Sequence, residues 1–209
     1  MNPAYVHYGC GWTAPPQWRN FDASPTLRFE RIPVLGRLYT RNEKRFPNNA
    51  EPGDIVRGLP VPDASCQGVY CSHILEHLAL EDCRTALRNT LRMLSPGGCF
   101  RLVVPDLEHA IRDYCANPGP DAALRFQRAT LLGRERRERG PRALLRDWLG
   151  NSNHLWMWDE AAMRRELEQA GFTAIRRAHR GDNADPMFVH VEDPGRWEDA
   201  LGMEARRPS

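Results

Sequence analysis

From its amino end the chain alternates short apolar runs with polar, turn-forming clusters. Residues 4–8 form an apolar run ending in Gly9-Cys10-Gly11, which predicts a buried strand entering a tight bend. Residues 18–21 predict a second short strand, closed by Asp22. Ser24-Pro25 has the order of an N-cap and a first helical residue, so a helix starts there, interrupted by Pro33 and Gly36. Residues 41–53 are rich in Asn and Pro and read as a loop, residues 54–59 as a weak strand and residues 68–72 as a better one. Cys83, Leu87, Leu91 and Leu94 recur every three or four positions, the mark of one apolar helix face, and Ser95-Pro96-Gly97-Gly98 stops that helix. Residues 99–104 are the strongest strand candidate, and Pro105-Asp106 ends it before a helix to about Tyr114. The clearest helix runs from the cap Asp159 to Ala170, with Met163 and Leu167 on one face and Gly171 placed to end it. Residues 172–178 and 187–191 predict two strands around the turn cluster 180–186, hence an antiparallel hairpin.

Strands alternating with helices place the chain in the α/β class. The expected architecture is a Rossmann-like, mostly parallel sheet with helices on both faces and a C-terminal antiparallel hairpin strand. Residues 1–193 read as a single domain, with an Arg-rich helical insertion at about 116–150, and residues 194–209 as a C-terminal tail.

Composition narrows the partners. The 209 residues carry 29 basic and 27 acidic side chains, a formal net charge of +2, which excludes a strongly basic nucleic-acid coat or an acidic tail. Neither a run of 18 apolar residues nor a signal-like amino terminus occurs, so no membrane span and a cytoplasmic location are expected. The six cysteines include no CxxC pair and read as a reduced, scattered set rather than a metal site or a disulfide framework. Arg125 to Arg146 holds eight arginines and two glutamates. It reads either as a solvated arm or as a lid over an anionic acceptor, and its scarcity of aromatics argues against nucleic acid.

Open α/β sheets bind ligands beyond the carboxyl ends of their strands. Four such ends carry suggestive residues: Gly9-Cys10-Gly11, Asp22, Ser72-His73 and Pro105-Asp106. Glycines let a ligand approach the backbone, and an acid after the second strand can accept both hydroxyl protons of a ribose. Each alone also has a plain reading as a turn or a cap.

Their combination resembles a class I S-adenosylmethionine-dependent methyltransferase of the small-molecule, type 11 kind, with a shortened first cofactor loop. The resemblance rests on Gly53-Asp54-Ile55-Val56-Arg57-Gly58-Leu59-Pro60 followed by Ser72-His73-Ile74-Leu75-Glu76-His77. It continues through Arg92-Met93-Leu94-Ser95-Pro96-Gly97-Gly98 and the stretch from Leu167 to Phe172. It implies S-adenosylmethionine as cofactor. Gly9, Cys10 and Gly11 would then lie against its methionine part, and Asp22 would accept its ribose hydroxyls. Asp54 and Leu59 would flank the adenine, while Ser72 and His73 would line the floor near the sulfonium. His154, in Asn153-His154-Leu155-Trp156, and His73 are the candidate catalytic bases, with His77 and Asp106 as further candidates and Trp156 and Trp158 as packing residues. The implied acceptor is a small or sugar-containing molecule. The first loop departs from the family pattern. It lacks the third glycine, and a parallel crossover normally needs a dozen or so residues, usually including a helix. Either the first crossover is a bare loop or the first two strands are not neighbours. The alternative is therefore a non-catalytic, methyltransferase-like partner or regulatory subunit.

Overall fold

A computed structural model describes residues 5–33, 45–133, 135 and 153–209. Its strands are β1 (Tyr5–Tyr8), β2 (Arg19–Asp22), β3 (Ala50–Pro52), β4 (Cys66–Ser72), β5 (Leu94–Pro105), β6 (Thr173–Ala178) and β7 (Ala200–Arg206). The helices are α1 (Pro25–Glu30), α2 (Leu80–Met93), α3 (Leu107–Ala116), α4 (Ala122–Ala129) and α5 (Glu160–Ala170). One sheet takes all seven strands, in the order β3-β2-β1-β4-β5-β7-β6. Every pair is parallel except β5–β7 and β7–β6. This is the Rossmann-like sheet with antiparallel C-terminal strands that the pattern predicts.

Side chains alternate across the sheet, and both faces are covered. Val6 and Tyr8 of β1, Val69 and Cys71 of β4, Phe100, Leu102 and Val104 of β5, and Leu201, Met203 and Ala205 of β7 share one core. Cys83, Ala86 and Leu87 of α2 and Met163 and Leu167 of α5 close it. On the other face Tyr70, Cys99 and Val103 meet Trp18, Phe188 and Val191. That cover comes largely from the irregular stretch between β6 and β7, which includes two short 3₁₀ turns, Pro186–His190 and Pro194–Arg196.

Local chemistry sets the ends of the elements. Ser24 Oγ accepts from Thr26 N–H at the start of α1, Asp106 caps α3 through Glu108 and His109, and Asp159 caps α5 through Ala162. Gly171 ends α5 at φ +100°.

Three expectations are corrected. Residues 54–59 are not a strand. The Asp54 carboxylate accepts from Val56 N–H and turns the chain, and the third strand is Ala50–Pro52, within the expected loop. Residues 187–191 are not the hairpin partner of β6, because Pro186 follows an Asp185 cap and starts a 3₁₀ turn. The partner is β7, so residues 194–209 are no tail: 200–206 form a strand inserted between β5 and β6. The first crossover is a bare loop, and β1 and β2 are direct parallel neighbours, Val6 opposite Arg19 and Tyr8 opposite Phe21.

Of the expected insertion, residues 134 and 136–150 lie outside the described residues, as does most of the arginine-rich stretch proposed as a lid. Among the described residues no helix is long and apolar enough to cross a membrane. All six cysteines are free and only Cys115 is exposed.

Candidate functional site

The carboxyl ends of β1, β2 and β4 converge on one edge of the sheet. Gly9 and Gly11 have φ of +68° and +52°, which only glycine adopts without strain, and they bend the chain back over β2. Asp22 locks this bend. Its Oδ2 accepts from Gly11 N–H at 2.9 Å and its Oδ1 from Ser24 N–H at 2.8 Å. Each carboxylate oxygen retains acceptor capacity beyond that one bond, so the group is held in place yet able to take two hydroxyl protons. Gly53 N–H donates to the Asp22 carbonyl at 3.0 Å, which brings Asp54 to the same edge.

The glycines differ in use. A Cβ on Gly9 would lie 2.1 Å from Ile74, so that space is already filled by protein. A Cβ on Gly11 would meet only the Arg196 guanidinium, at 3.5 Å. Cys10 turns its side chain into the small core with Leu27, Phe46 and Ala50, and burial above all pushes its thiol up to about 12. It offers the site backbone only. Leu59 is buried in the main core. Trp12 turns outward, 49% exposed and stacked on Phe46, and does not plug the bend.

Ser72 and His73 lie at the end of β4. Arg196 donates to the Ser72 carbonyl and hydroxyl. His73 has φ +54°, a left-handed conformation uncommon for a histidine, which turns its ring toward Glu76. Burial disfavours the charged form of His73, but Glu76 and the Arg196 carbonyl outweigh it, and the net shift is upward.

Glu76 is the centre of a histidine cluster. It is fully buried, and neither carboxylate oxygen accepts a hydrogen bond. His73 Nδ1 lies 3.3 Å and His77 Nε2 4.0 Å from its Oε1. His154 joins from far along the chain because the Glu76 carbonyl accepts from Leu155 and Trp156 N–H, which pins residues 154–156 onto the turn. The His77 and His154 rings meet edge to face at 4.9 Å. Burial lowers the pKa of His154, only partly offset by the Glu76 charge, so its ring favours the neutral form.

The structure thus brings His73, His77 and His154 together and leaves out Asp106. The Asp106 carboxylate is occupied by the α3 cap and by Arg177 at 2.9 Å, which makes it structural. Trp158 is buried in the main core, and Trp156 is 40% exposed beside it. Two residues absent from the sequence reading of the site stand out. Arg196 lies in the segment read as a tail, and Glu76 was visible only as the neighbour of His77. A cavity of about 870 Å³ at the amino end of β2, lined by Trp18, Arg19, Asn49 and Glu51, is remote from this chemistry.

A family model described as a methyltransferase domain matches residues 11–176. The chain belongs to that methyltransferase family. The sheet is that of its class I, S-adenosylmethionine-dependent members. A curated relative, the O-methyltransferase resE of Aspergillus sclerotiorum, is 43% identical over 68 residues, 32% of this chain and 23% of that protein. The chain therefore spans under a quarter of that relative. Among solved structures, an S-adenosylmethionine-dependent methyltransferase of Thermotoga maritima matches 97% of this chain and 81% of its own, with 13% identity and a TM-score of 0.53. The YcgJ protein of Bacillus subtilis matches 98% and 92%, with 16% identity and a TM-score of 0.51. A methyltransferase of Archaeoglobus fulgidus matches 97% and 85%, with 14% identity and a TM-score of 0.50. At such identities these likenesses speak for the fold.

Proposed function

We propose that this methyltransferase transfers the methyl group of S-adenosylmethionine to a small-molecule or sugar-containing acceptor. The observation that carries the reading is the Asp22 carboxylate, fixed at the end of β2 by Gly11 and Ser24 with acceptor capacity to spare. In this reading Asp22 takes the ribose hydroxyls, and the Gly9–Gly11 backbone lies against the methionine part. Asp54 borders the adenine, with the buried Leu59 backing that wall. Arg196, a cation over the open side of Gly11, meets the methionine carboxylate.

The cofactor supplies an already activated methyl group, so the protein's share is alignment and exclusion of water. An acceptor hydroxyl or ammonium must also lose a proton. His154, with its ring favouring the neutral form, suits that role better than His73, whose two nitrogens already face Glu76 and the Arg196 carbonyl.

Calorimetric titration with S-adenosylhomocysteine tests the reading. Micromolar binding to the native protein, weakened at least tenfold by Asp22→Asn, supports it. Silence at millimolar ligand overturns it in favour of a non-catalytic partner protein.

A further inference from the structure

Three imidazoles surround a carboxylate that nothing neutralises by hydrogen bonding. Glu76 is fully buried with both oxygens unpartnered. A buried carboxylate without hydrogen bonds is costly, by several kcal/mol in an apolar setting, so such a group is normally paired or bound to a cation.

The outer nitrogens of two of the histidines are committed elsewhere. His73 Nε2 lies 2.9 Å from the Arg196 carbonyl and His77 Nδ1 3.2 Å from the Asn153 carbonyl. A carbonyl only accepts, so both outer nitrogens carry their hydrogens. In a neutral His77 ring, with Nδ1–H held outward, the inner Nε2 then presents a lone pair toward Glu76. His154 adds a buried Nδ1 that has no partner. One ligand atom each from Glu76, His77 and His154 lies within 4.8 Å of the others. Lone pairs and a carboxylate that face one another repel unless a positive charge sits between them. Outer N–H groups held by backbone carbonyls are also the arrangement that orients metal-binding imidazoles.

We propose that Glu76, His77 and His154 form a binding site for a divalent first-row transition cation of zinc type. The donor set decides the class: imidazole nitrogen with one carboxylate favours Zn²⁺ and its neighbours over Mg²⁺ or Ca²⁺, which prefer oxygen. His73 and His77 have side-chain exposures of 30% and 29%, so the cluster is not sealed and a coordination position can face solvent. The site stands on its own geometry and does not depend on the methyl-transfer reading. One corollary rests on that reading. With the cation in place His154 is a ligand, and an acceptor hydroxyl would lose its proton through binding to the cation rather than to the imidazole.

Zn²⁺ titration of the tag-free protein, in a Cys115→Ser background to remove the exposed thiol, tests the site. The expected result is one equivalent bound, a Zn²⁺-dependent rise in Tm, and affinity reduced more than about tenfold by His77→Asn and by His154→Asn. Substituting Co²⁺ should give visible bands of nitrogen and oxygen ligation that both variants abolish. Glu76→Gln should lose the cation while the metal-free protein stays at least as stable as before, because the uncompensated charge is gone. Absence of stoichiometric Zn²⁺ binding, or binding indifferent to both histidine variants, overturns the proposal. Zn²⁺ binding without S-adenosylhomocysteine binding would sustain this site and sink the methyl-transfer reading, and the reverse result would do the opposite.

Discussion

Arg196 donates to Ser72 twice, reaching its carbonyl at 3.0 Å and its hydroxyl at 3.2 Å, across 124 positions of sequence. This joins the 3₁₀ turn before β7 to the end of β4 and suspends a guanidinium over Gly11. Arg196→Met keeps much of the apolar stem and removes the charge. We expect S-adenosylhomocysteine to bind roughly tenfold more weakly to this variant, the loss of one charge-assisted bond. Unchanged affinity in calorimetry would remove Arg196 from the cofactor site.

Gly9 is locked by its neighbour. A Cβ there would stand 2.1 Å from Ile74, at a φ of +68°. Gly9→Ala should cost about 2–4 kcal/mol, the sum of overpacking and left-handed strain. Adding Ile74→Ala should recover the overpacking share and leave the strain. Urea unfolding of the single and double variants measures this, and purely additive losses would show that Ile74 is not the obstacle.

Arg101 is wholly buried in β5 and bridges Glu192 at 2.7 Å, Glu204 at 2.6 Å and Asp182 at 2.9 Å. Its guanidinium also lies over the Trp197 ring at 5.3 Å. Arg101→Met takes the ion partner from buried Glu192 and leaves buried Glu204 with Arg176 and Asn183 alone, and we expect a loss of about 3–5 kcal/mol. Replacing Glu192 and Glu204 by Gln in the same chain should restore part of it. Equal stability of Arg101→Met and the native protein in urea would contradict this account.

His7 adds to acid sensitivity. Burial first, and the Arg196 charge second, depress its pKa from 6.5 to about 3. The unfolded chain therefore takes up a proton below pH 6.5 that the folded chain refuses until about pH 3. The unfolded state binds more protons throughout that window, so stability falls as pH falls through it. At pH 4.5 the loss is on the order of 3 kcal/mol. A His7→Leu variant should lose less Tm than the native protein between pH 7 and pH 5. Parallel Tm curves would sink the assignment.

The sequence was readable where local signals agreed. For α5 a cap at Asp159, apolar residues at helical spacing and a left-handed Gly171 all mark the same boundaries. The position of Asp22 was legible because an acid closing the second strand falls beside a glycine bend, where its carboxylate accepts from Gly11 N–H. β7 was hidden by Glu204. A charge in its middle is tolerated only because Arg101 and Arg176, its register partners on either side, neutralise it, and that pairing is invisible along the chain. Met187 to Val191 misled for the opposite reason. Its apolar run suits a strand, but Asp185 and Pro186 start a 3₁₀ turn whose Phe188 packs on the sheet instead of joining it. Glu76 escaped because its surroundings are long-range: the fixed position of His154 depends on backbone bonds from Leu155 and Trp156.

The insertion of β7 between β5 and β6 sets an order of events during synthesis. β6 leaves the ribosome before the strand that must tether it, so until residues 200–206 follow, the flank of β5 stands open. That flank closes only when Glu204 arrives between Arg101 on β5 and Arg176 on β6, the two ladders forming around one carboxylate.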